Sequence, residues 1–158
     1  MKRFFALCGG SLLVVLLLAV AVRAEAIKNQ YFTLELPSGW HLESFQKVLD
    51  VSIFVVADSS RKNLANITVI SLGKHLPAKD VCTIICNAQK VNGAHIGEPV
   101  AAGESYVVEF SQGKAHGFQY VTATGTLASA VSVIGDGGKE LMQKHFKPVD
   151  PKLFPASY

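Results

Sequence analysis

Between residues 31 and 36 the chain alternates. Phe32, Leu34 and Leu36 are apolar, and Thr33 and Glu35 between them are polar. A period of two marks a half-buried strand, and Pro37-Ser38-Gly39 closes it with turn chemistry. Trp40 and Leu42 extend the pattern beyond the turn. From Val51 to Ala57 both faces are apolar, Ile53 and Val55 on one side and Phe54 and Val56 on the other, as in a central strand. The polar residues 58–63 then predict a loop. Leu64 to Leu72 predicts a third strand, ending at Gly73.

After Pro77 the period changes. Val81, Ile84, Ile85, Ala88 and Val91 recur at helical spacing and form the expected core-facing stripe. Pro77 suits the first turn of that helix, and Asn92-Gly93 suits its end. A loop follows through Gly97, Pro99 and Gly103. Three further strands are expected at Ser105–Phe110, Phe118–Thr124 and Leu127–Ile134, the first two joined by a hairpin turn over SQGKAHG. Gly135-Asp136-Gly137-Gly138 opens a short helix, Lys139–Phe146, with Asp136 at or near its cap. The remainder, from about residue 147, carries three prolines and reads as an irregular tail. The order β-β-β-α-β-β-β-α predicts an α+β fold: an antiparallel β-sheet of about six strands with helices packed on it. Parallel pairing would need a crossover between successive strands.

The first residues place this domain in a compartment. Lys2 and Arg3 precede an apolar core, Leu12–Val22, and the exits Val22-Arg23-Ala24 and Ala24-Glu25-Ala26 offer small residues to a signal peptidase. Residues 1–24 are therefore expected to be a signal peptide, and residues 25–158 a single domain in the periplasm or secreted. The rival is an uncleaved anchor, since Phe4–Val22 is about as long as a spanning helix needs; a membrane is then met only through the leader. Cleavage removes Cys8. Without Lys2, Arg3 and Arg23, twelve basic residues balance twelve acidic ones. No basic run remains to bind nucleic acid.

The strand YFTLELPSGWHLE, the Pro37-x-Gly39-Trp40 turn, the order of strands and helices, and Phe146-Lys147-Pro148 after the last helix resemble the PsbP-like fold family. That family includes PsbP subunits of photosystem II and DcrB-like bacterial envelope proteins. The resemblance implies a PsbP-like sandwich, an antiparallel sheet with helices on both sides, and an accessory or assembly role without catalysis. It carries no functional residue beyond the structural turn Pro37, Gly39 and Trp40.

The cysteines of VCTIIC hold the most distinctive chemistry. Cys82 and Cys86 stack at i and i+4 beside the apolar stripe. Their Cα atoms are expected about 6 Å apart, within disulfide range, but Cβ atoms must approach to about 3.5–4.5 Å, closer than helical neighbours sit. The pair is thus a candidate disulfide that needs local unwinding, or two reduced thiols. C-x-x-x-C is not the thioredoxin-type spacing.

Elsewhere the motifs are plain. His41, His75, His95, His116 and His145 show no metal-site spacing, and no cofactor is expected. No G-x-S-x-G elbow occurs. Glu35 and Glu43 have no flanks that would raise one carboxyl. The glycines of GDGGKE fit an anion held on helix N-terminal amides or a tight strand-to-helix turn. Asn66-Ile67-Thr68 is a formal glycosylation sequon inside a strand. These readings lead to a non-enzymatic exported accessory protein that binds a partner in the bacterial envelope. The alternatives are a periplasmic small-ligand or metal binder, its pocket lined by aromatics such as Trp40, Phe54, Phe118 and Tyr120, and a thiol-dependent enzyme using Cys82 or Cys86.

Overall fold

A computed structural model describes residues 25–158, so the expected signal peptide lies outside the described residues. Two β-sheets carry most of the chain. The smaller, in order β1-β2-β11, joins β1 (Glu25–Lys28), β2 (Phe32–Leu36) and β11 (Phe146–Pro148). The larger begins with β3 (Trp40–Val48), β4 (Val51–Asp58) and β5 (Leu64–Ser71), then continues through β10 (Leu127–Ile134), β9 (Ala115–Thr124) and β8 (Ser105–Gln112). Beyond β8 lie β6 (His95–Ile96) and β7 (Val100–Ala102), both paired to it. Every pairing is antiparallel.

This corrects the expected six-stranded α+β sandwich. Among the described residues there are eleven strands in two sheets and two α-helices, α1 (Ala78–Val91) and α2 (Gly135–His145). The layout is mostly antiparallel β. The missed strands lacked a local signal. β3 reads WHLESFQKV and is mostly exposed; its alternation runs only through Trp40 and Leu42 before a register shift between Leu42 and Ser44 breaks its period. The strands β1, β6, β7 and β11 have two to four residues each. The three residues of β11 also pair β2 across more than a hundred positions, which no local pattern reveals.

The larger sheet has a core on each face. On one face the small sheet, α2 and the tail cover Phe54, Val56, Ile67, Val69, Tyr120 and Val131. The tail joins that core. Beyond β11 it holds only a 3-10 turn at Pro151–Leu153 as regular structure, yet it buries Leu153, Phe154 and Tyr158 there. On the other face α1 lies over β8, β9 and β10, against Val108, Val121, Ala128 and Ala130.

The glycine run before α2 is explained by close approach. No side chain within the helix caps it; instead Asn63 Oδ1 accepts from Gly137 N at 3.0 Å. A Cβ on Gly138 would lie 2.5 Å from the Leu64 carbonyl oxygen. Asn63 is itself held by Asp58, which accepts from its Nδ2 at 2.7 Å. The loop 58–63 therefore caps a helix distant in sequence, and of the two readings of GDGGKE the occupied Gly137 amide and the close packing of the glycines favour the tight turn.

Two outcomes follow from this cap. Asn63→Ala should lower stability by about 1 kcal/mol through the lost cap, and Gly138→Ala by about 2 kcal/mol through overpacking against backbone; urea midpoints at unchanged slope measure both. The Asn63 amide also holds the Asp58 carboxyl below its ordinary value. A depressed carboxyl contributes stability that is present above its unfolded pKa and lost as pH falls through the lower folded value. Amide exchange in residues 58–63 should stay protected into the ordinary carboxylate range and open below it, and Asp58→Ala should abolish that acid transition.

Candidate functional site

The chemistry of α1 depends on which way the helix faces. The expected stripe placed Val81, Ile84, Ile85, Ala88 and Val91 inward. Val81 is buried and Ile85 half-buried, but Ile84 is 59% exposed and Val91 87% exposed. The inward stripe is instead Val81, Cys82, Ile85, Cys86 and Gln89, rotated by part of a turn. The surface beneath explains the rotation. Ala128, Ala130 and Val121 leave a shallow floor, and cysteine is a small apolar side chain that packs there as readily as valine.

Both cysteines are consequently buried, and their Sγ atoms lie 3.8 Å apart without a bond between them. Burial, with Cys86 as neighbour, pushes the Cys82 thiol up to about 12. A thiol in that state supplies no nucleophilic thiolate at neutral pH. Cys86 nevertheless lines a cleft of about 330 Å³ between α1 and the segment before β7, together with Lys79, Thr83, Asn87, Lys90, Glu98 and Tyr106. Thr83 Oγ1 donates to the Lys79 carbonyl, and neither lysine has an ion-pair partner among the described contacts. The cleft is basic on its helical wall.

The histidines stay apart. His41 pairs with Glu43 at 2.9 Å, and Arg61 binds the other oxygen of that carboxylate at 2.6 Å. His75 Nδ1 meets the Gly125 carbonyl, and His116 contacts Glu109 at 2.7 Å on an exposed corner beside His95. His145 borders a cleft with Trp40 and Gly137. Among the described residues no three His, Cys, Asp or Glu side chains converge on a metal position. Glu35 and Glu43 serve different cations; Lys147 binds Glu35 at 2.8 Å and lowers its carboxyl pKa.

The aromatic residues weighed as a pocket lining are dispersed. Phe54 and Tyr120 are buried in the core, Trp40 borders α2, and Phe118 lies in another cleft beside Gly135 and Lys139. Pro37, Gly39 and Trp40 form a tight turn: Trp40 N donates to the Pro37 carbonyl at 3.0 Å and Gly39 takes φ +86°. Asn66 of the sequon sits in mid-strand and accepts from Thr68 Oγ1.

Sequence reasoning missed the β3–β4 hairpin tip. Leu49 sits at φ +51° and is 91% exposed, beside Val48 at 60% and Phe45 at 51%. A leucine in left-handed backbone is disfavoured sterically, and one exposed there gains no burial in return. The signal was Val-Leu-Asp-Val where a two-residue hairpin normally carries Asn-Gly or Asp-Gly.

In the folded protein both thiols should alkylate slowly at pH 7, and the Cys82 rate should climb with pH towards about 12 as thiolate forms. Intact mass after timed alkylation reads this, with full labelling in denaturant as the reference. No protein-family model matches the chain and no curated protein matches its sequence, which leaves the geometry to carry the functional reading.

Proposed function

We propose that this chain is a non-enzymatic exported accessory protein that docks an extended segment of an envelope partner along β3. The exposed, left-handed Leu49 at the end of an unpaired edge strand carries the reading. The two edges of the large sheet are treated differently. Outside β8 the edge is broken into β6 and β7 around Gly97 and Pro99, with Gly97 N donating to the Glu109 carbonyl at 2.9 Å. Such interruption blunts an edge against pairing. Among the described residues β3 has no strand on its outer side.

The register identifies the free groups. Val48 faces Val51 across the two-residue Leu49-Asp50 turn, which makes it a hydrogen-bonded pair; alternate residues then direct their amides outward. Phe45 and Lys47 thus present N–H and C=O groups to an added strand. Phe45, stacked on Phe54 at 4.6 Å, offers that strand an aromatic surface. Main-chain pairing with side-chain pockets is the physics of strand addition. The resemblance of Tyr31–Trp40 to PsbP-like accessory proteins points the same way. The raised Cys82 thiol supports a non-enzymatic role over a thiol-dependent one.

Leu49→Asn relieves the left-handed strain and should raise stability by about 1 kcal/mol, while Lys47→Pro removes one outward donor without touching a β4 bond. Photocrosslinking from position 46 in the exporting cell should capture one discrete partner, and a probe at the exposed Lys114 should not. Both variants should weaken capture, and the Phe45 and Lys47 amides should gain exchange protection in the complex. Monomer alone at every probe position would overturn the reading.

A further inference from the structure

Cys82 and Cys86 are poorly placed for a disulfide but well placed for a metal. Helical neighbours at i and i+4 keep their Cβ atoms about 5–6 Å apart, beyond the roughly 3.5–4.5 Å that a disulfide requires. A metal needs no such approach. Two sulfurs separated by 3.8 Å lie within reach of one ion, and rotation of either side chain opens them towards the near-linear S–metal–S arrangement that two thiolates alone impose. The regular helix already brings both sulfurs to one place.

A second observation lies on the same stripe. Gln89 follows at i+7 from Cys82 and i+3 from Cys86, and its Oε1 is buried without a hydrogen-bond partner. A buried acceptor left unpaired is unusual and calls for a ligand or ion to satisfy it. Access comes through the cleft that Cys86 lines, whose helical wall carries Lys79 and Lys90.

We propose that Cys82 and Cys86 form a two-thiolate site for a soft monovalent cation, copper(I), entered through the cleft beside α1. The donor set selects the ion. Two thiolates without a converging carboxylate or imidazole among the described residues fall short of the four ligands of a structural zinc site. The Gln89 carboxamide is a single oxygen, far short of the six or more that hard cations require, whereas soft sulfur favours copper(I). Binding breaks two S–H bonds, forms two Cu–S bonds and releases two protons to solvent; copper stays in the +1 state and nothing is oxidised or reduced. The bound unit carries one negative charge, opposite in sign to Lys79 and Lys90 at the mouth. The metal displaces protons that burial otherwise holds on sulfur. The site is independent of the β3 edge.

Tag-free, reduced protein should be titrated anaerobically with copper(I) against a chromogenic copper(I) chelator. The wild type should retain one equivalent with near-ultraviolet sulfur-to-copper absorption, and Cys82→Ser or Cys86→Ser should weaken binding more than about 100-fold. Lys90→Ala should weaken it only several-fold. X-ray absorption on the loaded wild type, which needs no variant to fold, should show two sulfur neighbours, and copper should block alkylation of both cysteines. Copper held only by nitrogen or oxygen, retention unchanged in the double Cys→Ser protein, or no uptake by the wild type would each overturn the proposal.

Discussion

Phe32 is the contact on which the two sheets depend. Its ring is fully buried, with Phe54 of the large sheet at 5.1 Å, Phe146 of β11 at 5.1 Å and Phe154 of the tail at 6.1 Å. Two of these meet it edge-on, the arrangement that aromatic quadrupoles favour. Truncating such a residue removes about 3–5 kcal/mol, a large share of a domain's net stability. Remove it, and the small sheet is held on the large one chiefly by Leu34 and Leu36. The tail, which reaches Tyr120 through Tyr158 at 5.2 Å, then loses its seat as well.

That arrangement makes the two faces of the large sheet unequal. The face under Phe32 is covered by a sheet, a helix and the tail. The other carries one helix over β8, β9 and β10, leaving Val51, Ile53 and Val55 half-buried. Its smaller core is built of valine, alanine and cysteine, and so brings α1 close to the strands. The same closeness buries the thiols and aligns them with Gln89. At the far edge β3 is supported from one side only, and its tip projects beyond both cores. Both candidate sites thus lie away from the larger core.

Legibility varied with how locally each feature is encoded. β2 was read from Phe32, Leu34 and Leu36 because all three bury on one face. β4 was expected to be apolar on both sides, and it is interior, though only Ser52, Phe54, Val56 and Ala57 are fully buried. Helix α1 was bounded closely by Pro77 and Asn92-Gly93, yet its facing was misjudged. Isoleucine and valine dominate any hydrophobic stripe, and nothing in VCTIIC announces that an alanine-lined floor will prefer the sulfurs. Only the start of β3 was read, from Trp40 and Leu42, because the exposed edge strand beyond its register shift needs no apolar alternation. The aromatic residues proposed as a pocket were scattered by a topology that their spacing does not encode.

The amino-acid sequence alone determined the alternating cores of the longer strands, the limits of α1 and the balanced charge of residues 25–158. Each rests on neighbours within a few positions, where period, turn chemistry and charge act directly. Only the tertiary structure decided that β2 pairs with β1 and β11 instead of β3, that Asn63 caps a helix more than seventy residues away, and that α1 turns Cys82 and Cys86 inward. These depend on which surfaces meet across the chain. The best fit between α1 and β8–β10 is a property of two surfaces, and neither segment carries it alone.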